Sequence, residues 1–494
     1  MASSPRLDRK VSASVFWSFV RFGSDQIFNL VAFFVMARLL SAAEFGLFAV
    51  AFVYAEAGKI IVSGGLVSGF YRAREVTPKL ADTLFWSNMG LASFLALGGL
   101  VAQQPISVAF GRPEGGAVVA TLGFVLPITA LGASHMSRNL REFGHKSLAL
   151  RSLLSGLFAS GLAVLAALNG FGVWSLVIQR YVAEVINTLV AWSAFRWRPG
   201  FQFSFSTLKA QLQLGGNIAL SQIIVLFTAR VQDLIISHAF GAGAVGFYRM
   251  AWKSTELISQ GTITPFSLVS LPMLAKLQSD REAFRRSYLR MVAISAAVSF
   301  PCIVGFGVLA NELIPLIYGA KWAPSIALAQ ILAWLVTPYA LNFFIGPALT
   351  ALGRADLVVR LAAIDLVGTA VLCALAVPFG LRATAAAYVA RCYLAMIFQL
   401  WVFKRAAGGL ILDAIRAVLP QGLAASVMAL AVLLFSGRRE VFANGWLYVA
   451  CAVALGAAVY ALALILFVGG RVRREALAKV RGVVARQATT SLPG

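Results

Sequence analysis

The sequence predicts an all-α polytopic membrane protein of about fourteen transmembrane helices. Sixty per cent of its 494 residues are hydrophobic and only 12% are charged, whereas soluble domains are about half apolar and a quarter charged. The mean hydropathy is +0.83. The apolar residues occur in blocks of about 20, the length that a helix needs to cross a ~30 Å hydrocarbon core. Apolar blocks separated by short polar loops therefore predict a bundle of membrane-spanning helices.

Fourteen such blocks follow one another, and no loop between them is long enough to form a separate domain. Glycine and proline inside several blocks are compatible with a membrane helix, because neighbouring helices can satisfy the freed backbone groups. The predicted spans are 12–37, 45–70, 82–104, 116–135, 148–168, 172–195, 214–238, 244–270, 288–310, 324–348, 358–378, 383–403, 417–436 and 444–468.

The basic residues predict the topology. The formal net charge of +23 could indicate nucleic-acid binding, but these residues lie in short loops between apolar blocks, as topology-setting charges do. With a cytoplasmic N-terminus, 29 of the 42 lysines and arginines fall on the cytoplasmic side and six on the periplasmic side. One missed helix would invert every later loop. The split therefore favours fourteen spans with both termini in the cytoplasm, and we expect no nucleic-acid partner.

An internal repeat at an offset of 200 residues predicts two similar halves. Both copies follow a short turn and open an even-numbered span. Six spans separate them, so the copies have the same orientation, as in a parallel repeat about an axis along the membrane normal. The natural arrangement is two six-helix bundles plus two extra helices. The matching positions are Ala42, Gly46, Ala51 and Glu56 with Ala242, Gly246, Ala251 and Glu256.

This repeat defines the predicted domains. Spans 1–6 form an N-lobe over 1–195, and spans 7–12 form a C-lobe over 214–404. Between them, 196–213 mixes basic, aromatic and polar residues, which is typical of a cytoplasmic amphipathic linker lying on the membrane surface. Spans 13 and 14 occupy 405–470, and 471–494 form a cytoplasmic basic tail.

Motifs of enzymes and ion pumps are missing from the sequence. It contains no GxxxxGK[ST] and no HExxH, so ATP hydrolysis and metallohydrolase chemistry are unsupported. Its three histidines are His135, His145 and His238, and its four cysteines all lie in predicted spans. A disulfide framework or a zinc site is therefore not expected. We expect a protein that is not an enzyme and that needs no metal or cofactor.

The most informative residues are charges inside the predicted spans. Each costs ~2.5–3.5 kcal/mol at the bilayer centre on insertion scales and is therefore a candidate functional residue. The cations outnumber the acids by seven to five, which suits a large anionic head group. The cations are Arg21, Lys59, Arg180, Arg230, Arg249, Lys253 and Arg391, and the acids are Asp25, Glu56, Glu184, Asp233 and Glu256.

Two interpretations of these charges remain open. Five pairs, such as Glu56 with Lys59, are spaced i,i+3 or i,i+4, so each could neutralise itself on one helix face. Alternatively, the charges line a water-filled cavity. Polar stripes support this second interpretation, because a polar stripe on an apolar helix must face protein or water. One stripe contains Arg249, Lys253, Glu256 and Gln260.

Six stretches of sequence resemble the Wzx-type polysaccharide flippases of the multidrug/oligosaccharidyl-lipid/polysaccharide exporter superfamily, in family order over roughly 10–405. The resemblance favours the exopolysaccharide branch, of the succinoglycan or colanic-acid kind. It implies two six-helix lobes in a V that open alternately to either side, and a substrate built on undecaprenyl diphosphate. The stretches are 37–52, 171–180, 195–204, 241–253, 287–301 and 319–325.

The resemblance also implies which charges bind substrate. In this family basic residues of spans 1, 2, 7 and 8 face the central cavity, which here gives Arg21, Lys59, Arg230, Arg249 and Lys253 the role of cavity cations. Their neighbouring acids would be supporting residues, and these are Asp25, Glu56, Asp233 and Glu256.

The predicted function is a secondary transporter in the bacterial cell inner membrane. It would move an undecaprenyl-diphosphate-linked oligosaccharide from the cytoplasmic to the periplasmic leaflet for exopolysaccharide biosynthesis. A polysaccharide polymerase and a chain-length regulator are the expected protein partners, beside membrane lipids. The alternatives are a peptidoglycan lipid II flippase, a drug or cation antiporter of the same superfamily, and a non-transporting membrane subunit of a polysaccharide synthase complex.

The charge split makes a testable prediction about topology. Reporter fusions at Gly494 and at Arg438 should report opposite sides of the membrane, because one predicted span, 444–468, separates these positions. The measurement is the activity of a reporter that works on only one side of the membrane. Both fusions reporting the same side would contradict the fourteen-helix topology.

Overall fold

A computed structural model of the protein describes residues 28, 30–65, 70, 75–110, 113–141, 145–408 and 411–490. Within these residues the regular structure is helical and no strand occurs, so the predicted all-α class is confirmed. The α-helices are α1 (Leu30–Leu39), α2 (Ala42–Lys59), α3 (Pro78–Val101), α4 (Gln103–Phe110), α5 (Pro113–Gly123), α6 (Val125–Arg141), α7 (His145–Leu168), α8 (Val173–Ala194), α9 (Phe205–Thr262), α10 (Thr264–Lys276), α11 (Arg281–Val308), α12 (Ala310–Tyr318), α13 (Ser325–Ala333), α14 (Val336–Asn342), α15 (Ile345–Ala351), α16 (Ala355–Ala376), α17 (Leu381–Ala407), α18 (Ile411–Ser436) and α19 (Gly445–Thr490).

The described residues contain ten helices that are long and apolar enough to cross a membrane. The number becomes eleven if the bent pair Ser325–Ala333 and Val336–Ala351 is a single span. α8 coincides with the predicted span 172–195, but Arg180 and Glu184 lower its hydropathy, and it is not among the ten. The chain is thus a multi-pass membrane protein, and the number fourteen stays a prediction.

One glycine divides the longest apolar segment into two. The segment Ile218–Thr262 has 45 residues, which as one helix would measure ~68 Å, about twice the hydrocarbon thickness. Gly241 interrupts it with φ 80° and ψ 174°, a conformation that is accessible essentially to glycine alone. The segment therefore carries most of the predicted spans 214–238 and 244–270, and the kink at Gly241 connects them.

Local hydrogen bonds define where several helices begin. Ser41 and Glu44 form a capping box at the start of α2: the Glu44 amide donates to Ser41 Oγ at 3.3 Å, and the Ser41 amide donates to Glu44 Oε2 at 2.7 Å. Asp280 caps α11 by accepting from the amides of Glu282 and Ala283, each at 3.0 Å. Such caps satisfy amides that have no partner within the helix.

The chain packs as two compact units. Unit 1 comprises the described residues of Met1–Arg249 and Ala362–Leu381. Its main apolar cluster joins α2, α5 and α8 through Ala51, Leu122 and Val177, which are all buried. These helices carry small and branched residues on one face, so their backbones pack closely and fix the depth of the polar residues beside them. The predicted lobe and linker boundaries at 195, 213 and 404 stay predictions.

Unit 2 comprises the described residues of Met250–Leu361 and Arg382–Gly494. A larger apolar cluster forms its core, with Val292 of α11, Phe344 beside α15, and Ala424 of α18 all fully buried. α11 packs along α18, and Tyr460 of α19 donates to the carbonyl of Ala297 at 2.9 Å. The last two spans are therefore integral to the core of unit 2.

The two copies of the sequence repeat meet within unit 1. A Cβ atom added at Gly46 would lie 1.7 Å from the carbonyl oxygen of Ala242, and one added at Gly246 would lie 1.8 Å from the carbonyl oxygen of Ala42. The contact is reciprocal: Gly46 of the first copy packs against Ala242 of the second, and Gly246 of the second copy packs against Ala42 of the first. Reciprocal contacts of this kind are typical of a two-fold relation. The structure thus brings Ala42 and Gly46 of the first copy against Ala242 and Gly246 of the second.

This close contact predicts a steric effect at Gly46. Gly46→Ala or Gly46→Val should lower the thermal unfolding midpoint of the purified protein, because the added Cβ must displace backbone. Overpacking of this kind typically costs about 1–3 kcal/mol. The control is Gly243→Ala, because an added Cβ there meets nothing within 4 Å. Equal midpoints for the Gly46 and Gly243 variants would contradict the close contact.

Candidate functional site

Six charged residues of unit 1 form ion pairs, and two of these pairs connect different helices. Glu56 and Lys59 come from α2, and Glu184 from α8. Arg230, Asp233 and Arg249 come from α9. Each lies on a helix that is otherwise largely apolar, and the apolar clusters hold these helices against one another. The arrangement is therefore a polar site inside a membrane-embedded bundle.

Lys59 pairs with Glu184 of α8 rather than with its own neighbour Glu56. Its ammonium group donates a hydrogen bond to Glu184 Oε1. The Glu184 side chain is 12% exposed and that of Lys59 is 49% exposed. Asn187, one turn further along α8, lines the same cavity as Glu184. The lysine thus extends from a buried carboxylate toward an open surface.

Glu56 is occupied by an arginine of α9. The Arg230 guanidinium contacts Glu56 Oε2 through Nη2 at 2.8 Å and through Nε at 3.0 Å. Both side chains are about one quarter exposed. Arg230 also lies 3.9 Å from Asp233 Oδ2. This arginine therefore connects the acid of α2 with the acid of its own helix.

Asp233 is the most deeply buried member of the site. Its exposure is zero, and Arg249 donates to Oδ2 through Nε at 2.7 Å and through Nη2. The other carboxylate oxygen, Oδ1, has no hydrogen-bond partner among the described residues. A buried carboxylate needs cations and hydrogen bonds to remain ionised. Arg249 and Arg230 provide the cations.

Arg180 is a further cation of the site, and it was not among the predicted substrate-binding residues. Its guanidinium lies 4.0 Å from the centre of the Phe52 ring and interacts electrostatically with Glu56 and Glu184. Its Nε atom is buried and has no hydrogen-bond partner within the part of the chain that the structure describes. Spacing on α8 marked Arg180 and Glu184 as intramembrane charges, but only the packing of α8 against α2 joins them to the site.

The structure answers the question of self-neutralised pairs separately for each pair. Glu56 and Lys59 each bond to another helix, and Arg230 is closer to Glu56 than to Asp233. The self-neutralising interpretation is therefore wrong for the pair Glu56–Lys59. Two of the predicted site residues, Arg21 and Asp25, lie outside the described residues.

Lys253 and Glu256 follow the predicted spacing in unit 2. Lys253 Nζ donates to Glu256 Oε2 at 2.9 Å, and Gln260 donates to the other Glu256 oxygen at 3.1 Å. Both charged side chains are about one third exposed. Arg391, also in unit 2, lies with its guanidinium 5.0 Å from the Tyr388 ring. Lys253 and Glu256 thus neutralise each other on one helix, and the side-chain amide of Gln260 donates a further hydrogen bond to Glu256.

A small polar cavity of about 170 Å³ lies beside the Lys59–Glu184 pair, and Ser63, Arg151 and Asn187 also line it. It could hold a few water molecules or one anionic group, but not an oligosaccharide. Within the described part of the chain no group of three His, Cys, Asp or Glu side chains could hold a metal ion. The cations of the site contact carboxylates, and lysine and arginine side chains can also bind phosphate oxygens.

Two solved structures have the same fold as this chain. The lipid II flippase MurJ superposes with a TM-score of 0.76 at 14% identity, covering 93% of this chain and 100% of that one. A multidrug resistance MATE family transporter of the MOP superfamily superposes with a TM-score of 0.60 at 18% identity, covering 79% and 98%. This chain therefore shares its fold with these two proteins.

The family follows from sequence comparison. A profile of the polysaccharide biosynthesis protein family matches residues 35–327, more than half of the chain, and the chain belongs to that family. It is 25% identical to the succinoglycan biosynthesis transport protein ExoT of Rhizobium meliloti (strain 1021) over 68% of this chain and 69% of the relative. It is 22% identical to the lipopolysaccharide biosynthesis protein WzxC of Escherichia coli (strain K12) over 67% of each chain. The predicted relationship to Wzx-type polysaccharide transport proteins is confirmed.

The inter-helical pairing of Glu56 with Arg230 can be tested by a double-mutant cycle. The double variant Glu56→Ala/Arg230→Ala should be less destabilised than the sum of the single variants, with a coupling of about 0.5–3 kcal/mol. Unfolding of the purified protein in mixed micelles measures the cycle. The matched control is Glu282 with Arg286, whose side chains are 77% and 68% exposed. Exposed ion pairs contribute little to stability, so the effects of the two single control variants should add. Additive effects at Glu56 and Arg230 would contradict the pairing of these two side chains inside the protein.

Proposed function

We propose that the protein is a secondary transporter that flips undecaprenyl-diphosphate-linked oligosaccharide repeat units from the cytoplasmic to the periplasmic leaflet for exopolysaccharide biosynthesis. The observation that carries this proposal is the set of cations in unit 1 that rest on carboxylates of neighbouring helices. Family membership supports the substrate class, because the relatives are transport and biosynthesis proteins of cell-surface polysaccharides. The location would be the bacterial inner membrane, with both termini in the cytoplasm.

The proposed mechanism is competition for cations. In the empty site, Glu56, Asp233 and Glu184 hold their basic partners and keep these charges stable inside the membrane. An arriving diphosphate offers more negative charge than one carboxylate and matches the planar fork of a guanidinium. Lys59, Arg230 and Arg249 would transfer part of their hydrogen bonding to it. No covalent chemistry is involved, and the polyprenyl chain stays in lipid.

Alternating access would then move the bound head group between leaflets. The wet, cationic path lowers the barrier to transfer of a charged sugar diphosphate, which is prohibitive in hydrocarbon. In the proposed path Lys253 of unit 2 and Arg21, outside the described residues, are further cations. Asp25 and Glu256 are their supporting acids. A polysaccharide polymerase and a chain-length regulator would act on the product.

The pairing pattern favours this function over cation antiport. A site for a cationic drug or metal ion would present acids that lack basic neighbours. Glu56, Glu184, Asp233 and Glu256 each contact a lysine or an arginine. An anionic substrate is therefore the better chemical match to these residues.

Replacing Arg249 tests the proposed mechanism. Arg249→Ala should insert normally yet accumulate lipid-linked oligosaccharide in the cytoplasmic leaflet. Arg249→Lys should be milder, because it keeps the charge but loses the fork, and Arg249→Glu should be the most severe. The measurement is polysaccharide export at matched protein level. Normal export by Arg249→Glu would exclude the cationic role of this residue.

A neutral pair separates function from folding. Removing Arg249 alone leaves Asp233 buried without its main partner, which can cost ~3–5 kcal/mol. Asp233→Asn/Arg249→Gln keeps hydrogen-bonding side chains of similar size and removes both charges. We expect this double variant to reach wild-type levels and to lose export, while the exposed control Glu282→Gln/Arg286→Gln exports normally. Full export by the neutral pair would assign Asp233 and Arg249 a purely structural role.

A deletion strain tests the substrate class. Its membranes should accumulate the undecaprenyl-diphosphate-linked repeat unit, which mass spectrometry of extracted lipids identifies. Accumulation of lipid II would favour the peptidoglycan alternative. Export loss without any lipid-linked intermediate, together with a destabilised synthase complex, would favour the structural-subunit alternative.

A further inference from the structure

A second polar cavity, of about 430 Å³, lies in unit 2 between α11, α18 and the apolar part of α19. Arg285 and Arg290 of α11 line it together with Asp413 and Gln421 of α18 and Val468 of α19. None of these residues belongs to the ion pairs of unit 1 or to the proposed transport mechanism.

The cavity carries one positive charge that no acid among the described residues balances. Arg285 donates to Asp413 Oδ2, so these two charges neutralise each other. Arg290 is exposed at the cavity and has no ion-pair or hydrogen-bond partner among the described residues. A guanidinium presents a fork of donors that matches phosphate oxygens. The cavity thus offers a ready cation for an anionic group.

A buried amide deepens the polar part of the cavity. Gln421 is 6% exposed, and its Nε2 donates to the carbonyl of Ala293 at 3.3 Å. Its Oε1 atom has no hydrogen-bond partner in the described part of the chain. Buried polar atoms normally have partners, so such an acceptor indicates that a donor binds there. The chemically suited donor is a hydroxyl group near the anion.

The other walls are apolar, and two of them, Leu289 and Pro420, lie roughly 12–14 Å along α11 and α18 from the helix starts. Leu289, Pro420 and Val468 line the cavity beside the polar residues. Asp413 and Gln421 are eight residues apart on α18, which corresponds to ~12 Å of helix. The starts of α11 and α18 and the end of the span Gly445–Gly469 are the ends that the basic-residue distribution places at the cytoplasmic surface. A cavity near the membrane surface that combines arginines with an apolar wall matches the head group and the first part of the acyl chains of a phospholipid.

We propose that this cavity binds the head group of an anionic phospholipid with a free hydroxyl, of the phosphatidylglycerol class. Arg290 binds the phosphate, and Gln421 Oε1 accepts a hydrogen bond from the glycerol hydroxyl. Leu289 and Val468 contact the start of the acyl chains. The lipid would bridge α11 and α18 of the same unit, independently of the transported substrate.

Native mass spectrometry of the purified full-length protein tests the site. The delipidated protein is titrated with phosphatidylglycerol, phosphatidic acid and phosphatidylcholine, and the constant for the first bound lipid is compared. Arg290→Ala should weaken phosphatidylglycerol binding roughly 10- to 100-fold, the effect of losing a charge-assisted hydrogen bond. Gln421→Leu should abolish the preference for phosphatidylglycerol over phosphatidic acid. Arg286→Ala is the control, because Arg286 lies on the same helix outside the cavity lining and pairs with Glu282.

Three outcomes would overturn the proposal. The first is unchanged phosphatidylglycerol affinity in Arg290→Ala, or in Arg290→Gln should the alanine variant unfold. The second is phosphatidylcholine binding as tightly as phosphatidylglycerol to the wild-type protein. The third is displacement of phosphatidylglycerol by equimolar inorganic phosphate, which would make the cavity a site for the free anion rather than for a lipid.

Discussion

A carboxylate with no exposed surface stays ionised inside a membrane-embedded bundle only when cations lie against it. Asp233 meets this condition with Arg249 in hydrogen-bond contact and Arg230 at 3.9 Å. Arg230 in turn contacts Glu56, so α2 and α9 are tied through charges that neither helix could carry alone. Because hydrocarbon offers no solvation, the pairing requirement fixes the facing sides of these helices. The candidate substrate site of unit 1 is a consequence of this requirement.

The same helices come unusually close where the sequence repeat meets itself. Gly46 and Gly246 have no side chains, and the partner carbonyl oxygens of Ala242 and Ala42 occupy the space that a Cβ would need. Small residues permit such backbone approach in membranes, where helix association depends on packing more than on the hydrophobic effect. The contact sets the distance between α2 and the part of α9 that follows Gly241, whereas the ion pair Glu56–Arg230 connects α2 with the part of α9 that precedes Gly241.

Unit 1 and unit 2 handle charge differently, and depth in the membrane explains the difference. Glu56, Glu184 and Asp233 of unit 1 lie well inside long apolar helices, and each contacts a lysine or an arginine. In the cavity of unit 2, Arg290 has no such partner in the described chain, near the start of α11. A cation close to a helix end can reach hydrated head groups, whereas one at mid-membrane cannot. An unbalanced arginine is therefore tolerable at the interface and would be costly in the interior.

Hydropathy alone determined most of the helices. Four predicted spans overlap almost completely with apolar helices of the structure. The spans are 82–104, 358–378, 417–436 and 444–468, and the helices are, in the same order, Pro78–Val101, Ala355–Phe379, Leu412–Ser436 and Gly445–Gly469. This success has a physical reason, because a membrane helix must be apolar over its own length and satisfies its backbone internally. The class of protein and the intramembrane charges also followed from the sequence, since both depend on residue type and local spacing.

Which charges pair with which depended on tertiary structure. Spacing placed Lys59 next to Glu56 on one helix face, yet Lys59 contacts Glu184 and Glu56 contacts Arg230. Side chains three residues apart can meet, but a partner on another helix replaces that contact when packing brings it closer. Packing between helices likewise determines that Arg180 lies over the Phe52 ring and that the Gln421 amide donates to the carbonyl of Ala293. A single sequence specifies the depth of each polar residue in its own helix, whereas only the packed helices specify what that residue faces.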